Sequence, residues 1–149
     1  MRRVLAFSIP ALVVVFVALG LVTWRRGALP GFQPTVHDVA WSALSEADRG
    51  VRVSGTAHYP VRLKAGDPAD GPVSYLFPLF DKGDTAGREI RVLVKTRIAP
   101  DPLLGYEERT VVGLVQPIGN SVPSDARHAL ELEGYTFAPA PLLITTFED

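Results

Sequence analysis

The residues best suited to chemistry in this chain are its three histidines, His37, His58 and His128, which lie in three different segments. A metal site needs a close pair of ligands or nearby carboxylates, and no two of these histidines have ligand spacing. The chain contains no cysteine, which excludes thiolate zinc sites, thiol nucleophiles and disulfides. The sequence therefore predicts neither a metal ion nor another cofactor.

Serine and acidic residues are also present, but they form no catalytic pattern. The sequence has no Gly-x-Ser-x-Gly turn that would present a nucleophilic serine. Asp81, Asp84 and Glu89 surround a turn without the spacing of an EF-hand, so turn chemistry explains them. Without a nucleophile–base pair or a metal cluster, the chain is predicted to be non-enzymatic.

Charge and aromatic residues bear on the partner. The chain has 15 basic and 16 acidic residues, for a net charge of −1, whereas nucleic-acid binding usually requires a basic face. Tyr75, Phe77 and Phe80 form an aromatic run that resembles a stacking surface. With this charge, we interpret them as core residues or as contacts with a protein partner, and we predict no nucleic-acid binding.

The N-terminus carries the strongest pattern in the sequence. Residues 4–24 form an uncharged run of 21 residues between two pairs of arginines. As a helix the run would be roughly 31 Å long, which matches the bilayer core. We predict a single transmembrane anchor over residues 1–26, in contact with the lipid bilayer, and place Trp24, Arg25 and Arg26 at the membrane interface.

A cleaved signal peptide is the competing interpretation of this segment. Ala18, Leu19 and Gly20 resemble a small-residue cleavage site. The apolar run, however, continues past that site and is longer than the usual apolar region of a signal peptide. Arg2, Arg3 and the α-amine exceed the charge of Arg25 and Arg26 by one, which favours a cytoplasmic N-terminus and a periplasmic domain in the cell membrane.

The rest of the chain is predicted to be mainly β. A linker over residues 27–34 precedes an amphipathic helix over 35–49, which has apolar residues at helical spacing and Thr35 as N-cap. From Gly50 the apolar period becomes two. Strands are expected over 50–59, 73–80, 89–97 and 109–116, then a short helix over 124–132 and one or two closing strands within 135–147. Glycines in the first and fourth strands suggest a strongly bent, small OB-like β-barrel over 50–149, with an open sandwich as the alternative.

Several short motifs appear in the order found in one known family. They are Gly20–Arg25 (GLVTWR), Val51–Thr56 (VRVSGT), Tyr75–Leu79 (YLFPL), Leu93–Pro100 (LVKTRIAP) and Val111–Pro117 (VVGLVQP). In this order the chain resembles the Surfeit-type cytochrome oxidase assembly factors. The family's Arg-Gly-Trp triplet is replaced here by Thr96, Arg97 and Ile98, and its second membrane helix has no counterpart. The resemblance implies a tethered OB-like barrel and a respiratory oxidase as partner, but it transfers no haem-binding residue.

Together these patterns predict a single-pass membrane accessory or assembly subunit of a larger membrane complex. The extramembrane domain would act by protein–protein contact, through Tyr75, Phe77 and Phe80 and the proline-rich residues 138–141. The alternative is a membrane-tethered carrier of haem or another small ligand, which would use a barrel pocket and His58.

Overall fold

The computed structural model describes residues 35–59, 63–65 and 73–147, and this part of the chain is mainly β. One sheet contains seven strands: β1 (Val36–Asp38), β2 (Gly50–His58), β3 (Leu63–Ala65), β4 (Ser74–Phe80), β5 (Glu89–Thr96), β6 (Tyr106–Pro117) and β7 (Thr136–Thr146). One α-helix in this part, α1 (Ser124–Leu132), connects β6 to β7. The four predicted strands and the short predicted helix are confirmed as β2, β4, β5, β6 and α1.

The predicted anchor over residues 1–26 and the linker over 27–34 lie outside the described residues. Within residues 35–59, 63–65 and 73–147, no helix has both the length and the apolar character needed to cross a bilayer.

The predicted amphipathic helix over residues 35–49 is wrong. This segment forms the short strand β1, a single 3-10 turn over Trp41–Ala43 and a turn in which the Asp48 carboxylate accepts hydrogen bonds from the Ser45 backbone and hydroxyl. Serine and aspartate side chains that bond to the nearby chain compete with the backbone hydrogen bonds of a helix. Trp41 also donates its indole N–H to the Leu79 carbonyl at 2.8 Å. Long-range contacts therefore override a helical spacing of apolar residues.

The order of strands in the sheet is β1-β2-β6-β7-β5-β4-β3, with an additional pairing between β2 and β4. The strands β2, β6, β7, β5 and β4 consequently form a continuous ring of pairings. The β5–β7 pairing is parallel, and the other four pairings of the ring are antiparallel. The final strand β7 is thus paired with both β5 and β6, and α1 lies between β6 and β7 in the sequence.

Two glycines lie where neighbouring backbone approaches their strands closely. A Cβ atom on Gly55 would lie 2.2 Å from the backbone oxygen of Phe80, and one on Gly113 would lie 2.3 Å from that of Thr145. Real Cβ atoms do not lie this close to other heavy atoms, so both positions require glycine. The close backbone approach at these two residues is observed, whereas the predicted bending of their strands stays a prediction.

The strand β7 contains two prolines, and its pairing with β5 is irregular where they lie. Ile90 pairs with Phe137 and Val92 with Leu142, so an advance of two residues along β5 corresponds to an advance of five residues along β7. Pro139 and Pro141 lie in the extra segment, where the absence of their N–H groups removes no regular ladder bond. The predicted one or two closing strands are therefore one strand with a bulge.

Alternate residues of the strands supply two separate apolar clusters, because successive side chains of a strand point to opposite faces. The strand cluster packs between the strands of the ring and contains Leu44, Val51, Val53, Ala57, Phe77, Leu79, Val92, Val94, Val111, Val115, Leu142 and Ile144. The helix cluster lies on the other face, against α1, and contains Leu63, Leu76, Phe80, Ile90, Leu93, Ile118, Val122, Ala126, Leu130, Tyr135 and Leu143.

The helix α1 forms where the sequence marks both of its ends. It begins directly after Pro123 and carries Asp125 in its first turn, next to the positive end of the helix dipole. It ends before Gly134, whose φ of +85° suits a residue without a side chain. The Tyr135 amide then donates to the Leu130 carbonyl at 3.1 Å, which turns the chain back so that Tyr135 packs in the helix cluster.

Candidate functional site

His58 and Tyr59 lie next to each other at the end of β2, and their side chains enter different environments. His58 is on the face of the helix cluster, and Tyr59 packs against the strand cluster. The Tyr59 amide donates to the Gly105 carbonyl at 2.9 Å, so this end of β2 is held against the segment that leads into β6. The two side chains form the centres of two polar groups.

His58 is fully buried, and both of its ring nitrogens have partners. Nε2 is 2.8 Å from the carbonyl oxygen of Asp84, which can only accept a hydrogen bond, so Nε2 donates. In that tautomer Nδ1 accepts from the Tyr135 hydroxyl, 3.2 Å away. His58 thereby connects β2 to the β4–β5 turn and to the segment between α1 and β7.

Aromatic rings enclose the imidazole. The ring of Phe80 lies 4.3 Å away, and that of Tyr106 contacts the imidazole edge to face at 5.2 Å between ring centroids. Burial raises the pKa of the Tyr135 hydroxyl, and the guanidinium of Arg88, 5.0 Å from the Tyr135 ring centroid, opposes that rise. The group is closed and fully hydrogen-bonded, as expected for a structural buried histidine.

The Tyr59 group is more polar. The Tyr59 hydroxyl donates to Glu107 Oε2 at 2.7 Å and accepts from an Arg109 N–H at 3.3 Å. The Arg109 guanidinium also lies over the ring of Phe77, 5.5 Å from its centroid. Burial raises the pKa of Tyr59 to about 12, with the Arg109 charge acting in the opposite direction. Tyr59 is therefore a neutral hydrogen-bonding group at physiological pH rather than a base.

The other two histidines have carboxylate partners of their own. His37, in β1, is 3.0 Å from Asp48, and His128, in α1, is 3.9 Å from Glu131. The structure brings no two of the three histidines together. Among the described residues, no group of three or more histidine, aspartate or glutamate side chains is placed to hold a metal ion.

The geometry around His58 disfavours the alternative of a haem or small-ligand carrier. A haem ligand needs an accessible ring nitrogen, but here both nitrogens are engaged within a buried group. The space between the ring strands is occupied by the side chains of the strand cluster. A ligand bound through His58 would have to break both hydrogen bonds and displace the surrounding aromatic rings.

The aromatic residues predicted to contact a partner are mostly core residues. Phe77 is 1% exposed and belongs to the strand cluster, and Phe80 is 3% exposed and belongs to the helix cluster. Tyr75 is half-buried. Phe77 and Phe80 are therefore not available as a contact surface, because β4 is covered on both faces. The predicted interface residues Trp24, Arg25 and Arg26 lie outside the described residues.

Two exposed apolar regions were not predicted from the sequence. The first lies between β5 and β6, where Ile98, Leu103 and Leu104 of the loop and Tyr106, the first residue of β6, are exposed. The second is a face of the sheet on which Leu114 and Phe147 are exposed. The pair Leu103-Leu104, between Pro102 and Gly105, was the available signal for the loop. The sheet face had no such signal, since Leu114 continues the apolar run of a strand.

The sheet face is defined by the pairing of β6 with β7. Gly113 is paired with Thr146, and the Phe147 amide donates to the Val112 carbonyl, so Val112 and Phe147 are directly opposite. Side chains at opposite positions point to the same face, and Leu114 is diagonal to Phe147 on that face. We call Val112, Leu114 and Phe147 the β6–β7 patch.

Comparison with protein-family models, with curated proteins and with solved structures gave no match to this chain.

Proposed function

We propose that this chain is a non-catalytic, single-pass membrane accessory or assembly subunit, whose β domain contacts another protein of a larger membrane complex. The observation that carries the proposal is the β6–β7 patch. α1 covers the neighbouring part of the same sheet face through Ala126 and Leu130, whereas Leu114 and Phe147 remain 38% and 39% exposed. Exposed apolar side chains grouped on one face of a sheet are typical of a protein contact surface.

We infer that the five-strand ring is a closed, OB-like barrel. Directly paired residues can be followed from β2 around the ring, through Ala57, Leu79, Val92, Leu142 and Pro117. Continuing the β2–β6 register three residues beyond Gly50 places Pro117 opposite position 47, ten residues before the starting point on β2. A fixed stagger of this kind is what closure of a barrel requires. The close backbone approaches at Gly55 and Gly113 and the parallel pairing of β5 with β7 are compatible with a closed barrel.

The anchor is the second element of the proposal. The uncharged run over residues 4–24 would hold the domain at the bilayer and raise its effective concentration at a membrane partner. The charge difference across the run favours an extracytoplasmic, periplasmic domain. The resemblance to Surfeit-type assembly factors suggests a respiratory oxidase as the complex to test first.

The proposal is tested by purification of the tagged full-length chain from its native membrane in mild detergent, followed by mass spectrometry of co-purifying proteins. We expect one membrane complex in stoichiometric amount. Recovery with the mature complex would identify a resident subunit, and recovery only with immature oxidase would identify an assembly factor.

The matched variants locate the contact. Leu114→Asp should abolish co-purification because it places a carboxylate in the β6–β7 patch. Leu132→Asp, at an exposed leucine of α1, should not. A wild-type chain that purifies alone, or a Leu114→Asp chain that retains the complex, would contradict the proposal.

A further inference from the structure

The two edges of β6 are paired to different extents. Towards β2, the pairing covers residues 106–114 without a gap. Towards β7, it covers only residues 113–117, and one further bond joins the Phe147 amide to the Val112 carbonyl. Among the residues that the structure describes, no strand therefore pairs with residues 106–111 on the side away from β2. We call this side of residues 106–111 the open edge.

The direction of the backbone groups at the open edge follows from two bonds. The Val115 amide donates to the Arg49 carbonyl on the β2 side, whereas the Val112 carbonyl accepts from Phe147 on the β7 side. Successive residues of an antiparallel strand direct their N–H and C=O groups to opposite edges. Odd-numbered positions of β6 thus bond towards β2, and even-numbered positions face the open edge. The residues that direct both backbone groups there are Tyr106, Glu108 and Thr110.

Such an edge is complementary to one kind of structure. A row of N–H and C=O groups at every second residue, about 7 Å apart, matches the backbone of an extended segment, which repeats with the same spacing. A helix cannot match the row, because its backbone groups bond within the helix. The open edge therefore favours an added strand over other shapes of partner.

Features that protect strand edges from pairing are missing or cancelled here. Residues 106–111 contain neither proline nor lysine and pair with β2 in unbroken register, whereas prolines, lysines and bulges are common at protected edges. Inward-pointing charges also discourage pairing. Glu107 and Arg109 are on the inner face, but the Tyr59 hydroxyl bonds to both, at 2.7 Å and 3.3 Å. An added strand would bury no unpaired charge at these two positions.

The outward side chains of the open edge indicate what the added strand carries. They share a face with the β6–β7 patch, because both consist of even-numbered positions of β6. Tyr106 at one end is 54% exposed, and Phe147 of the patch, at the other end, is 39% exposed. The exposed carboxylate of Glu108 lies between them. Because directly opposite side chains interact, the edge selects a basic residue opposite Glu108 and apolar residues on either side of it.

We propose that an extended segment of a partner protein adds to the open edge as a further strand, antiparallel to β6 and in line with β7. The inference rests on the proposed function for the partner, and it specifies backbone pairing as the contact. Phe147 lies where the patch meets the open edge, so one partner covers both.

The open edge is first tested in the free chain. Amide hydrogen exchange is measured by nuclear magnetic resonance on the full-length chain in mild detergent. Amides that face the open edge should exchange about a hundred times faster than those of the alternate residues, which donate to β2. The fast group is Tyr106, Glu108 and Thr110, and the slow group is Glu107, Arg109 and Val111.

A synthetic peptide then tests pairing. The probe is acetyl-TVTKTVT-amide, whose lysine can lie opposite Glu108 with a valine on each side. It is used at about 1 mM, because a free peptide must be ordered when it binds. We expect exchange of the fast group to slow by about tenfold. N-methylation of the lysine and both valines, which removes the donors facing β6, should abolish the effect. N-methylation of the two central threonines, whose donors face away, should preserve it.

A substitution tests the preference for a basic residue. Glu108→Gln keeps the backbone and removes the charge, so it should weaken binding of the peptide by about threefold. Glu89→Gln, at an exposed position of β5, is the matched control and should leave binding unchanged. Equal binding by both variants and the wild type would contradict the selection of a basic residue.

Three results would overturn strand addition. Slow exchange of Glu108 and Thr110 in the free chain would show that the chain already covers this edge itself. Equal effects of the two methylated peptides would show a contact through side chains. An unmodified peptide without effect would show that the edge rejects a strand. In each case, co-purification with a membrane complex would still support the proposed function. A chain that binds the peptide but purifies alone would contradict the proposed function and remove the partner from the inference.

Discussion

The strand cluster and the helix cluster use alternate residues of the same strands, but they are enclosed by different parts of the molecule. Strands of the ring surround the strand cluster, with Leu44 the one member from outside them. The helix cluster is covered on one side by α1, a helix of nine residues, and by the segment that precedes it. We therefore expect that loss of the strand cluster weakens every pairing of the ring, whereas the effect of losing the helix cluster is confined to one face of the sheet.

The largest effect is expected where closure of the ring itself is prevented. Gly55→Ala should destabilise the domain by about 4 kcal/mol or more, because its Cβ would collide with the backbone oxygen of Phe80. The measurement is equilibrium denaturation of the full chain in mild detergent. Gly105→Ala is the control, since a Cβ there meets nothing within 4 Å, and it should change stability by less than about 0.5 kcal/mol.

The strand cluster should respond strongly to truncation of its largest side chain. Phe77→Ala should cost about 4 kcal/mol, since Phe77 is 1% exposed and the ring strands cannot collapse into the cavity. Hydrogen exchange should then accelerate in several strands at once, including β2 and β5. Faster exchange restricted to β4 would show that the cluster is not shared by the ring.

The helix cluster should respond less, and locally. Leu130→Ala should cost about 3 kcal/mol, and the amides of α1 should exchange faster while those in the middle of β6 change little. The comparison between the two clusters would fail if Leu130→Ala and Phe77→Ala produced the same exchange pattern across the sheet.

Substitution of His58 tests whether its two hydrogen bonds stabilise the packing beside the helix cluster. His58→Leu should cost about 2 kcal/mol, because it leaves the Tyr135 hydroxyl and the Asp84 carbonyl without their partner. His128→Leu serves as the control, since His128 is exposed on α1. Equal effects in thermal unfolding of the two variants would contradict a structural role for His58.

The smallest effect is expected from the exposed carboxylate of Glu108, beside the helix cluster. Hydrogen bonds from the Thr56 hydroxyl and then the Gly83 amide lower the pKa of Glu108 below its ordinary value of 4.5. When the pKa of a carboxyl group is lower in the folded chain than in the unfolded chain, the ionised group stabilises the fold at pH values above its unfolded-state pKa. This stability is lost as the pH falls through the folded-state pKa. Wild type and Glu108→Gln should therefore differ in stability at pH 7 and converge below pH 4.5. Glu89→Gln, at an exposed position, is the control; a difference that stays constant with pH would refute the prediction.

The sequence predicted the regular parts of this fold well. The apolar period of two located β2 and β5, and the apolar run between two turn-rich segments located β4. Each of these signals is local, since it depends on the apolar pattern of one segment and on the turn residues beside it. The bounds of α1 were also predicted, as residues 124–132.

Features set by contacts across the sequence were not predicted correctly. The segment 35–49 has helical spacing, but the indole of Trp41 bonds to Leu79, 38 residues away, and the pattern of one segment contains no information on that bond. Phe77 and Phe80 illustrate the same difficulty for the site. A strand exposed on one face would present one of them to a partner, whereas β4 is covered on both faces by elements distant in sequence.

The position of β7 has a consequence for how the molecule assembles. β7 bonds to β5 on one side and to β6 on the other, and its Leu143 pairs with Leu93, 50 residues earlier. During synthesis, the edges of both earlier strands therefore wait, unpaired, until residues 136–146 have left the ribosome. Topologies of this kind fold slowly, and open strand edges invite pairing with other chains. The nascent chain is thus most vulnerable to aggregation just before its last strand arrives, when a chaperone that shields strand edges would be of greatest benefit.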